Sequence, residues 1–168
     1  MNKQCVVIGI GNPYRQDDRA GLVVIKQLEQ AGLPCQTEVV YAAGFEVIDR
    51  IRGYKRAIIV DACQLGEEPG TILERMVDDI FSASSPVNSH TITLSTILKT
   101  GQVCFTQEMP DDISIILIQV KELQEFTEQM SPEVEAAVVE VVGRIRNRIA
   151  ANGISNCQEQ GRGLARRV

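Results

Sequence analysis

The sequence predicts an α/β protein, a three-layer sandwich in which a mostly parallel, twisted sheet carries helices on both faces. Three observations predict it. Aliphatic, β-branched runs at 5–11 (CVVIGIG), 55–63 (KRAIIVDAC) and 112–121 (DISIILIQVK) read as strands covered on both faces. Stretches with helical spacing of apolar residues follow or precede them. Strands and helices alternate along the chain, the pattern of parallel-sheet units.

Each element has a local reason. After the first strand, residues 19–32 place Leu22, Val23, Ile25 and Leu28 on a helix that stops at Gly32, with Asp17 or Asp18 as its N-cap. Residues 36–43 are strand-like, and 45–53 form a short helix ending at Gly53. Residues 70–77 follow an EEPG turn and alternate like an edge strand. Residues 91–101 read as helix despite their threonines. Ser131, Pro132, Glu133 and Glu135 open a long helix over 131–153, with proline at the first helical position and acids at the positive end.

The 168 residues suit one domain, placed at 1–152, followed by a flexible basic tail at 153–168. Three arginines there face one glutamate, in a chain whose net charge is −5. That balance argues against nucleic acid or an acidic membrane surface as the main partner. The five cysteines form no CxxC pair, which reads as reduced thiols. The opening residues lack a secretory pattern, and no apolar run is long enough to span a bilayer. The expectation is a cytoplasmic protein, with a monomer as the default state.

In open α/β sheets, ligands bind beyond the carboxyl ends of the strands. Asp18 lies shortly after the first strand, Asp61 ends the AIIV run, and His90, the sole histidine, opens the helix after SSPVNS. Two carboxylates and an imidazole suit a divalent metal and leave positions open for water or substrate. Each residue also has a plain structural reading. Asp17 or Asp18 caps a helix, Asp61 satisfies loop amides, His90 is a surface histidine, and the glycines of GIGN turn the chain.

The three segments together, GIGNPYRQDDRAG, IIVDACQLGEEPGT and SHTITLSTIL, resemble the maturation endopeptidases of [NiFe] hydrogenases. The likeness runs through most of residues 4–150. The family's Gly-x-Gly-Asn turn with its acid pair and later glycine falls on Gly9, Gly11, Asn12, Asp17, Asp18 and Gly21. Its second carboxylate falls on Asp61, with Pro69 and Gly70 after it, and its histidine on His90. The resemblance implies an endopeptidase that removes a C-terminal extension from the nickel-loaded precursor of a hydrogenase large subunit. Asp18, Asp61 and His90 would contact nickel that the substrate supplies, so no metal is held permanently. Asp17 and Asp18 are candidates for the base that activates water. Cys63 is a candidate nucleophile, although a buried, inert thiol is the favoured reading. Where the family carries a glycine pair after an acid, this chain has Ala42 and Ala43, and Val120 stands where a proline is common.

Two other readings compete. A non-proteolytic nickel-carrying maturation chaperone would use the same ligands. The GIGNP opening also resembles peptidyl-tRNA hydrolase. That enzyme wants a Thr-Arg-His-Asn stretch where this chain has RQDDRAG, and the net charge suits tRNA poorly. A phosphate-binding module is disfavoured because Asp17 and Asp18 would repel the anion.

Overall fold

A computed structural model describes residues 3–77, 89–121 and 129–163 of the chain. Among the described residues five strands form one sheet: β1 (Lys3–Ile10), β2 (Gln36–Val40), β3 (Tyr54–Cys63), β4 (Ile72–Met76) and β5 (Asp112–Gln119). Their order across the sheet is β2-β1-β3-β5-β4. β1 pairs in parallel with β2 and β3, and β3 in parallel with β5. β4 runs antiparallel to β5 at the edge. The mostly parallel sheet and the edge strand of the sequence reading are both present.

Side chains on a strand alternate between faces, so each apolar run feeds two cores. Val6, Ile8 and Ile10 of β1, Ala57, Ile59 and Cys63 of β3, and Ile113, Ile115 and Leu117 of β5 share one core. It is closed by α2 (Glu46–Ile51) and α3 (Ser89–Cys104), through Val47, Ile48, Ile51, Leu94, Ile97 and Leu98. Val7, Ile58, Val60, Ala62, Ile116 and Ile118 face the opposite core. There α1 (Ala20–Gln30) contributes Val24, Ile25 and Leu28, and α4 (Pro132–Gly163) contributes Val134, Val138, Val141 and Ile145. The three layers follow from this alternation. Each fully buried Ile or Leu contributes roughly 1.5–3 kcal/mol of transfer free energy.

The start of α1 differs from expectation. Neither Asp17 nor Asp18 caps it, because residues 16–19 wind into a 3-10 turn, and Arg19 precedes α1 in a helical conformation without a side-chain cap. The far end of α4 also differs. Gly153 does not stop the helix, which continues to Gly163; side chains from 152 onward lie outside the described residues. At the edge, Glu74 of β4 accepts from Arg144 (3.1 Å) and Arg148 (2.6 Å) of α4. Burial works against its charge, but the hydrogen bonds from Arg148 and Arg144 outweigh it and hold its carboxyl below the ordinary value. Among the described residues, no helix is long and apolar enough to cross a membrane.

Candidate active site

The GIGN segment works by close approach. None of Gly9, Gly11 and Gly21 has positive φ. A Cβ on Gly9 would stand 2.2 Å from the Gly21 carbonyl oxygen. One on Gly21 would stand 2.3 Å from the Ile10 oxygen and 2.7 Å from that of Val60. Bare backbones therefore let the first turn of α1 press onto the ends of β1 and β3. Gly11 does the same for the loop, since its Cβ would stand 2.1 Å from the Asp18 carbonyl oxygen. The Asn12 N–H donates to that oxygen at 3.3 Å, and Asn12 Oδ1 accepts from the Tyr14 N–H at 2.9 Å. The loop thus closes on itself and returns Asp18 to the carboxyl end of β1.

β3 lies beside β1, with Val60 in register with Gly9. Asp61 is the next residue. It is 6 % exposed, and its Oδ1 accepts from the Ala62 N–H at 2.8 Å. Burial pushes its carboxyl up to about 7 and the neighbouring charge of Asp18 pushes the same way, while the Ala62 hydrogen bond opposes both. Asp18, half-buried, and Asp61 therefore lie within electrostatic reach of each other at one edge of the sheet. By alternation with Ile59 and Cys63, Asp61 belongs to the face covered by α2 and α3.

His90 is the second residue of α3, one helical turn before Leu94, which packs in that same core. Its side chain lies outside the described residues. Among the described residues, no group of three His, Cys, Asp or Glu side chains could hold a metal.

Asp17 is 3 % exposed, and both its oxygens are engaged 114 residues away. Oδ1 accepts from the Ser131 N–H at 2.7 Å, and Oδ2 accepts from the Ser131 hydroxyl at 2.9 Å. Cys63 is buried, and burial, with Asp61 adding, pushes its thiol up to about 12. That value suits the inert reading rather than a nucleophile.

Two contributions come from residues to which the sequence assigned no role. Gln119, buried at the end of β5, accepts from the Leu65 N–H at 2.8 Å and donates to the Val120 carbonyl at 2.8 Å. It thereby fixes the chain leaving β3. A buried amide beside a strand end was the signal for it. Tyr14, Tyr41 and Phe45, about two thirds exposed, stand in the loops after β1 and β2. The Gly11 N–H donates to the Val40 carbonyl at 3.1 Å and ties those loops together.

An α/β sandwich with two carboxylates in electrostatic reach at the carboxyl edge of its parallel strands carries its candidate site where open α/β sheets bind ligands. The family is identified by comparison. Residues 23–148 match the hydrogenase maturation protease (HycI) family model, and the chain belongs to this family of peptidases. A Methanocaldococcus jannaschii protein provisionally assigned as a hydrogenase maturation protease is 31 % identical over 104 residues. The match spans 58 % of this chain and 66 % of that relative's length. The hydrogenase maturating endopeptidase HybD of E. coli superposes with TM-score 0.69 at 24 % identity, covering 89 % of this chain and 94 % of that one. The [NiFe] hydrogenase maturation protease HycI of Thermococcus kodakarensis KOD1 gives 0.70 at 20 % identity, covering 88 % and 93 %. At those identities the two structures establish the shared fold.

Proposed function

We propose that this chain cuts a C-terminal extension from the precursor of a [NiFe] hydrogenase large subunit after nickel insertion, and that it recognises the nickel its substrate carries. The observation that carries this reading is the buried Asp61 with the charge of Asp18 in electrostatic reach. Two acids within electrostatic reach of each other, one of them desolvated, gain from an incoming divalent cation, which relieves their repulsion. Asp18, Asp61 and His90 make a mixed carboxylate and imidazole donor set of the kind nickel accepts. An open set of three can dock on an ion whose other ligands come from the substrate. Such an ion polarises a nearby carbonyl toward attack by water. Exposed Tyr14, Tyr41 and Phe45 at the same edge suit a protein substrate rather than a small molecule. The chain acts as a monomer that holds its substrate transiently.

The test is a pair of incubations, with metal-free and with nickel-loaded precursor, read by the mass of the large subunit. Only the loaded precursor should shorten, and Asp18→Asn and His90→Ala should leave it whole while folding normally. Equal cleavage of the metal-free precursor would remove nickel recognition. A loaded precursor that is bound but never cut by the unaltered protein would make the chain a nickel carrier instead.

A further inference from the structure

We propose that Asp17 is a positioning residue, which bolts the turn carrying Asp18 to the N-terminus of α4 through Ser131. This inference rests on the proteolytic reading above. The turn is held from two sides. On one side Gly11 packs against the Asp18 carbonyl and the Asn12 N–H binds it. On the other, Asp17 takes both the N–H and the hydroxyl of Ser131, the residue just before α4. The Ser131 carbonyl accepts from the Glu135 N–H at 3.0 Å, so the bolt is anchored in the helix's own ladder.

The same end of α4 meets the loop that follows Asp61. Gly70 has φ +85°, and a Cβ there would stand 2.7 Å from the Glu133 oxygen. The Gly70 N–H donates to the Gln119 carbonyl at 2.8 Å. The first residues of α4 thus sit against both segments that deliver the acids. A buried Asp17 with both oxygens accepting is poorly placed to take a proton from water, and well placed to fix its neighbour's backbone.

Misplacing a reacting group by about 1 Å costs roughly a hundredfold in rate. Asp17→Ala should therefore lower kcat for precursor processing about a hundredfold with KM within about twofold, and Ser131→Ala about tenfold, since its N–H remains. Ser131→Thr should restore most of that loss. The double variant should be no slower than Asp17→Ala, because both changes open one bolt. Asp17→Asn separates positioning from chemistry. Its oxygen still accepts from the N–H and its amide can donate to the hydroxyl, so processing should stay within a few-fold. Hydrogen exchange at residues 16–20, read without substrate, should quicken in Asp17→Ala and Ser131→Ala. Abolished processing in Asp17→Asn, additive losses, or unchanged exchange would each overturn the proposal. Failure of the unaltered protein to process any precursor would instead overturn the functional reading and leave the exchange result standing.

Discussion

Replacing Asp61 by asparagine should stabilise the protein above neutral pH while ending its activity. The carboxyl sits at about 7 in the folded chain, against an ordinary value of 3.8. Well below 3.8 the acid is protonated in both folded and unfolded chains and contributes no difference. As pH rises toward 7 the unfolded chain releases its proton and the folded one keeps it, so stability falls. Above the folded value both are ionised, and the loss levels off at about 4 kcal/mol as an upper figure. Asparagine keeps the oxygen that accepts from the Ala62 N–H and carries no charge to desolvate. The assay is urea unfolding of chelator-treated protein from pH 4 to 8, read as the difference between the variant and the parent. That difference cancels groups of opposite sign such as Glu74, whose stabilising effect is lost as pH falls. The gap should be under about 1 kcal/mol at pH 4 and grow to a few kcal/mol by pH 8. An asparagine variant no more stable than the parent at pH 8 would refute the claim that Asp61 is held against its own desolvation.

Three further outcomes are expected. Gly21→Ala places a methyl against two backbone oxygens that cannot rotate away, and should cost about 3 kcal/mol or more in denaturant unfolding; a cost under about 1 kcal/mol would show the contact is loose. Cys63→Ala should process precursor at the parent rate, because at pH 7 roughly one thiol in 10⁵ is ionised when its value is about 12; loss of cleavage with the fold intact would revive the nucleophile. Gln119→Leu leaves the part-buried Leu65 N–H without its acceptor, and should cost about 1 kcal/mol in thermal or urea unfolding; an unchanged midpoint would mean the loop finds another partner.

Much of the architecture could be read from periodicity alone. The three aliphatic runs are β1, β3 and β5, because strands covered on both faces leave no polar alternation to confuse them. The reading that Asp18 and Asp61 share an edge needs β1 and β3 to be parallel neighbours, and they are. Other features could not be read locally. The division of labour between Asp17 and Asp18 depends on Ser131, 114 residues away, so helix capping looked equally good from the sequence. The glycines looked like turn formers, since what they touch is backbone from another element. The end of α4 was placed at Gly153 because glycine marks helix stops, yet the helix runs on to Gly163.

The case for chemistry at Asp61 comes from what structure alone would have preferred there. The position needs a short side chain with an oxygen facing the Ala62 N–H. Asparagine meets that need without a buried charge, and the aliphatic neighbours Ile59, Val60 and Ala62 show that the strand otherwise wants no polarity. A second acid within electrostatic reach makes the burial worse. Such an arrangement is unfavourable in the free protein, and the nickel of the proposed substrate would relieve it. The fold alone gives Asp61 no reason to be an acid rather than an amide, and the proposed substrate would supply one.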